Sequence, residues 1–340
     1  MKKAILVALS CLVVAGLRGQ DPTRHGTVER IQVHGKALEG NLEGDSPDRK
    51  VAVYLPPSYR SATNRRYPVL YLLHGFTDEV DKWWGVKPHF VSVPVVADRA
   101  LQAGVSEMIL VMPDAFTRYQ GSMYSNSVTT GDWENYVAQE LVAYIDAHYR
   151  TIAHPAGRGL AGHSMGGYGA LRIGMKHPGI FSSLYLMSPC CLAVNGIRPN
   201  PRAETIHDPA EVANVDFFTK AVFASAAAWS PNPKNPPFFF DLPFKNGEIQ
   251  QQIVAKWEAN APLVMIDQYI SQMRQYDSIA MDVGNKDQLI GGLETLDKVL
   301  NDYGIHHGYE TYEGDHINHI AERLEKKVLP FFAAHLQPPR

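Results

Sequence analysis

Val69-Leu70-Tyr71-Leu72-Leu73 is a run of five residues without one charged or amide side chain. A strand with one wet face alternates apolar and polar residues; a strand without alternation must be covered on both faces. Comparable short runs recur at Val28–Val33, Val51–Leu55, Met108–Met112, Gly159–Ala161, Leu184–Met187, Ile279–Val283 and Gly308–Tyr312, which predicts eight strands in all. The cover has to come from helices. Trp133, Tyr136, Val137, Leu141, Tyr144, Ile145 and His148 fall on one side of a 3.6-residue helix that Asp132 is placed to cap. A second helix is expected after Ser164, ending before Pro178. Alternating strands and helices of this kind build an open, mostly parallel α/β sheet flanked by helices.

One strand-to-helix junction carries chemistry. Gly162-His163-Ser164-Met165-Gly166 places a serine between two glycines, just after an apolar run and just before a helix. That is the layout of a nucleophile elbow, a tight turn that projects the serine hydroxyl from the sheet at a helix N-terminus. A hydroxyl is a weak nucleophile, so it needs a neutral histidine to take its proton and an acid to orient that histidine. In chain order the acid is expected next and the histidine last. Asp287 lies a few residues past the seventh strand, in a loop able to reach the elbow, and is the expected acid. Asp282 competes with it but falls within the strand. His316 follows the eighth strand and precedes a helix bearing Ile317, Ile320, Ala321, Leu324 and Val328, which makes it the expected base. His319 falls on that helix, and His306 and His307 precede the strand. The oxyanion of an acyl-transfer intermediate needs two backbone N–H donors, expected from Met165 and from Phe76 in His74-Gly75-Phe76 after the third strand.

The remaining features bound location and partners. Lys2 and Lys3, the apolar stretch Ala4–Leu17 and small residues near Gly19 read as a secretory signal over residues 1–19, leaving one domain over 20–340. Secretion or export to a periplasm is therefore expected, and the apolar stretch is too short to serve as a stable membrane anchor. Removing Lys2, Lys3 and Arg18 makes the chain more acidic than its formal charge of −3, so no nucleic-acid partner is expected. Cys190 and Cys191 are adjacent and poorly placed for a structural disulfide. From residue 190 to 275 the strand series is interrupted by Pro-Asn-Pro segments and Pro236-Pro237-Phe238-Phe239-Phe240. This is an insertion after strand six, a candidate lid or a simple packed extension. Trp83, Trp84, Tyr119 and Tyr124, in loops after strands three and four, are candidates to stack on a sugar or an aromatic acyl group, with core or rim packing the alternative for each. His316-x-x-His319 has helical ligand spacing but lacks the glutamate of a zincin motif, so no metal is expected.

Taken together, Val53-Tyr54-Leu55-Pro56-Pro57, Pro68–Gly75, Gly131-Asp132-Trp133-Glu134, Gly162–Gly167, Asp282-x-Gly284-x-x-Asp287 and Gly314-x-His316 resemble the serine esterases that include S-formylglutathione hydrolases, feruloyl and acetylxylan esterases, enterochelin esterases and mycolyltransferases. The resemblance implies an α/β-hydrolase fold and ester hydrolysis through an acyl-enzyme, without metal or organic cofactor, on a small-molecule or carbohydrate ester. It implies the same Ser164, Asp287 and His316. Acyl transfer by the same triad and a non-catalytic binding module are the alternatives.

Overall fold

The computed structural model describes residues 25–194 and 196–336; the expected signal segment lies outside them. Eight strands form one sheet: β1 (Thr27–His34), β2 (Asp48–Leu55), β3 (Val69–Leu73), β4 (Ile109–Pro113), β5 (Arg158–His163), β6 (Ser183–Met187), β7 (Ser278–Gly284) and β8 (Gly308–Tyr312). Their spatial order is β1-β2-β4-β3-β5-β6-β7-β8. β2 runs antiparallel to both its neighbours, and every pairing from β4 through β8 is parallel.

The unalternating strands are buried on both faces, as their composition requires. Leu70 and Leu72 of β3 pack with the helix Val93–Gln102 and with Ile320, Leu324, Val328 and Phe332 of the C-terminal helical segment. Val69, Tyr71 and Leu73 point the other way, toward Trp133, Tyr136 and Leu141 and toward the helix Met165–Lys176. Each large side chain removed from water in this way contributes roughly 1.5–3 kcal/mol. Asp132 caps its helix as its position suggested, its side chain accepting from the Asn135 N–H at 3.0 Å.

Glu134 explains the rest of that motif. Its Oε1 accepts from Arg172 Nε at 2.7 Å and from the Asn126 N–H at 3.0 Å, while Lys176 reaches Oε2 at 2.6 Å. Arg172 and Lys176 lie on the helix that starts at Met165, so this buried ion pair ties the loop around Glu134 to the helix behind the elbow.

Topology decides where a ligand can sit. After β3 the chain crosses to β4 on one side, and after β4 it crosses back over β3 to β5. The carboxyl ends of β3 and β5 therefore flank a switch point, the crevice where open α/β sheets bind ligands.

The segment 190–275 between β6 and β7 is not a detached flap. Its helix Phe217–Trp229 buries Phe223 through Trp229, and Phe223, Ala227 and Trp229 join the same core as Tyr119, Tyr124 and Tyr168. Ser127 Oγ donates to the Ala227 carbonyl at 2.6 Å, Thr129 Oγ1 to that of Phe239 at 2.6 Å, and Trp229 Nε1 to Ser125 Oγ at 3.2 Å. The insertion is a packed extension over the loop that follows β4. Among the described residues no helix is long and apolar enough to cross a membrane.

Candidate active site

Four strand ends converge on Ser164. In the ladder Leu73 stands opposite Gly162, His163 opposite Met187, Met187 opposite Asp282, and Gly284 opposite Tyr312. The loops after β3, β5, β7 and β8 thus leave the sheet at one edge.

Ser164 has φ 55° and ψ −114°, a left-handed conformation rare for serine. It is tolerated because the neighbouring positions are glycine. A Cβ on Gly162 would lie 2.2 Å from the Gly166 backbone, and one on Gly166 would lie 2.0 Å from the Leu73 carbonyl oxygen. Strain of this kind costs about 1–3 kcal/mol and persists only where surrounding packing imposes it.

The three expected residues meet. Ser164 Oγ lies 3.0 Å from His316 Nε2, and His316 Nδ1 lies 2.7 Å from Asp287 Oδ2. A carboxylate accepts only, so Nδ1 carries the proton and Nε2 presents a lone pair to the serine hydroxyl. Burial pushes the Asp287 carboxyl up, but hydrogen bonds from His316 and the Leu289 N–H outweigh it and hold the group below its usual value. Asp287 is anionic where the imidazole needs a counter-charge. Asp282 is engaged elsewhere: fully buried, it accepts from Tyr185 Oη and Arg323 Nε, both at 2.8 Å.

The expected oxyanion donors flank the serine. The first helical hydrogen bond runs from the Tyr168 N–H to the Ser164 carbonyl, so the Met165 N–H stands at the open N-terminus of the helix. On the other side, a Cβ on Gly75 would lie 3.6 Å from Ser164 Cβ, which places the loop entering Phe76 directly against Ser164. His74 fixes that loop, donating from Nδ1 to the Gly75 carbonyl and accepting at Nε2 from the Ala115 N–H, both at 2.9 Å.

Comparison with known proteins places the chain. The Esterase family model matches residues 46–319. The chain belongs to the Esterase family. Esterase Rv1288 of Mycobacterium tuberculosis is 39% identical over 137 residues, covering 39% of this chain and 27% of that protein. An S-formylglutathione hydrolase of Rattus norvegicus is 29% identical over 161 residues, covering 42% and 52%. The chain thus spans about half or less of these curated relatives. A solved ferulic acid esterase superposes with a TM-score of 0.62 over 91% of this chain and 98% of that one, at 21% identity, a likeness of fold.

The Esterase-family chain departs from its sequence expectations at the aromatic residues. Trp83 and Tyr124 are 0% exposed and Trp84 4%, and Tyr119 is equally enclosed. No face is left for a ligand to stack on, so their expected substrate contact is replaced by packing. Trp83 Nε1 donates to Asp78, and Tyr124 Oη to the His74 carbonyl. Among the described residues no group of three or more His, Cys, Asp or Glu side chains is arranged to hold a metal. Cys190 and Cys191 are free thiols, and the Cys190 N–H donates to the Ser164 carbonyl at 3.1 Å.

Two features escaped the sequence reading. A cavity of about 780 Å³ lies wholly within the insertion and touches none of Ser164, Asp287 and His316. The other is His163, beside Ser164. Burial and the neighbouring His316 push its pKa down to about 3, so the ring is neutral. Its Nε2 lies 2.9 Å from the His316 carbonyl oxygen and donates to it, and the two rings are 4.7 Å apart. No local pattern marks such a residue, since its partner is 153 positions away. Replacing His163 with Phe keeps a ring but removes the donor, and is expected to lower kcat about 10–100-fold through misplacement of His316. Steady-state kinetics on the variant, with Gln as the donor-retaining control, check this; equal losses in both would reject it.

Proposed function

We propose that this protein is an exported serine esterase that hydrolyses carboxylic esters through an acyl-enzyme. The observation that carries the reading is the unbroken hydrogen-bonded chain from Ser164 Oγ through the His316 ring to the Asp287 carboxylate. As Ser164 Oγ attacks the ester carbonyl, its proton passes to His316 Nε2, and the carbonyl oxygen becomes an oxyanion held by the N–H groups of Phe76 and Met165. Collapse of this intermediate breaks the bond to the alcohol oxygen, which leaves with the proton from Nε2. Water then attacks the acyl-enzyme, giving its proton to Nε2, and the same oxyanion site serves the second intermediate, whose collapse breaks the acyl bond to Ser164 Oγ, releases the carboxylic acid and returns the Nε2 proton to the serine. Asp287 holds the ring tautomer throughout and stabilises the imidazolium. Export rests on the Lys2-Lys3 and Ala4–Leu17 pattern.

The names of its relatives suggest feruloyl esters and the thioester S-formylglutathione as substrate classes. The test is covalent labelling by a fluorophosphonate, with the modified peptide located by mass spectrometry, beside hydrolysis of 4-nitrophenyl acetate, feruloylated and acetylated xylan, and S-formylglutathione. Labelling at Ser164 together with turnover of at least one ester is expected. A folded protein that neither labels nor turns over would return the chain to the class of binding modules.

A further inference from the structure

Cys190 and Cys191 are free thiols to which the proposed mechanism gives no part. Their sulfurs lie 2.7 Å apart. A covalent S–S bond is about 2.05 Å long, so the two are already near bonding distance. Adjacency in sequence rules out a structural staple for two reasons. A disulfide constrains the unfolded chain through the loop it closes, and neighbours close almost none. Their Cα atoms, about 3.8 Å apart across a trans peptide, also fall short of the usual disulfide range, so a bond here is strained. Strained disulfides are the readily reduced ones, suited to reversible chemistry.

The turn that carries the two thiols is held in an unusual shape. Ser188 has φ 42° and Cys191 has φ 59°, both left-handed without being glycine. Such residues persist only where their surroundings impose them. Here the Ser188 N–H donates to the Asp282 carbonyl at 2.8 Å, and the Leu192 carbonyl accepts from the Leu263 N–H at 2.9 Å. Both cysteines keep part of their surface in water, within reach of a small reagent. The same turn braces the elbow. The Cys190 N–H donates at 3.1 Å to the Ser164 carbonyl, the oxygen that also accepts the first hydrogen bond of the following helix, and a Cβ on Gly167 of that helix would lie 3.0 Å from Pro189 Cα.

We propose that Cys190 and Cys191 are a reversible oxidation site, at which a small-molecule disulfide closes a bond between the two neighbours and shifts the amide that braces Ser164. The Cys191 sulfur and burial together push the Cys190 thiol up, so attack begins at Cys191. Its thiolate displaces one thiolate from glutathione disulfide and forms a mixed disulfide. The Cys190 sulfur then attacks the Cys191 sulfur, and the second glutathione leaves with the Cys190 proton. The two cysteines lose two electrons and two protons, and one glutathione disulfide becomes two glutathione thiols. Drawing the sulfurs to bonding distance moves the Cys190 amide with them, and small displacements at a catalytic turn are costly in rate. The effect on rate rests on the serine esterase reading, whereas the bond itself does not.

The test equilibrates the protein with glutathione disulfide or with dithiothreitol, alkylates the remaining thiols and weighs the peptide that bears both cysteines. After the oxidant that peptide is expected to be unalkylated and lighter by two hydrogens than the dithiol; after dithiothreitol it is expected to carry two alkyl groups. Hydrolysis of 4-nitrophenyl acetate is expected to fall about threefold or more on oxidation and to recover with dithiothreitol. Cys191→Ser is expected to show one rate in both buffers. A peptide that keeps both thiols under the oxidant, or stops at a glutathione adduct, overturns the site. A closed bond with an unchanged rate, or equal oxidant sensitivity in Cys191→Ser, overturns the coupling to Ser164. Absence of hydrolysis in both buffers overturns the esterase reading and the coupling with it, while the peptide mass still decides the bond.

Discussion

Ser164→Ala is expected to lower kcat by about 10⁶, leaving only the residual acceleration that substrate binding and the oxyanion donors supply. The substitution removes one atom. It keeps the Cβ at the left-handed backbone position the elbow already imposes, with φ at 55°, so no new strain enters the fold. Gly162 and Gly166 remain as they are, and the contact of the following helix with the Leu73 carbonyl is untouched. What disappears is the hydroxyl 3.0 Å from His316 Nε2, and with it the covalent route. Steady-state hydrolysis of 4-nitrophenyl acetate and loss of fluorophosphonate labelling measure the effect. A variant that stays folded and within tenfold of the wild type would remove Ser164 from the mechanism.

Asp287→Asn is expected to lower kcat by up to about 10⁴, because an amide in place of the carboxylate favours the wrong imidazole tautomer and no longer stabilises the imidazolium. The hydrogen bond from His316 Nδ1 to Oδ2, 2.7 Å long, is the interaction at stake. Asp282→Asn provides the contrast. Asp282 lies five residues earlier in the same motif and is the more deeply buried, but its partners are Arg323 and Tyr185 rather than a histidine. Neutralising it leaves the Arg323 guanidinium short of one counter-charge, although Glu310 still pairs with it at 2.9 Å. Breaking a buried ion pair costs about 3–5 kcal/mol, and the retained Glu310 pairing makes that an upper bound here. Asp282→Asn should thus depress the melting temperature far more than kcat. Kinetics and thermal unfolding of the two variants side by side decide the matter, and the reverse ranking would transfer the orienting role to Asp282.

The strands were legible because a strand covered on both faces has nothing polar to contribute. Val69–Leu73 was read to the residue, whereas β5 extends from Arg158 to His163, beyond the apolar run that revealed it. Hydrogen bonding carries a strand further than hydrophobicity does. Ser164, Asp287 and His316 were readable for a related reason: each follows a strand, and parallel strands end at a common edge. The aromatic candidates failed because loop position says nothing about burial. Trp83 looks exposed along the chain but is enclosed by His89, Phe90 and His163, the last of them 80 positions away.

Ser164 and His316 stand 152 residues apart along the chain, and the histidine follows the last strand at the far edge of the sheet. Contacts that span so much sequence form late, after the local elements have collapsed. On the serine esterase reading, a chain whose C-terminal segment has not docked holds its nucleophile without the base that activates it. Activity on that reading is tied to the docking of the C-terminal segment that carries His316.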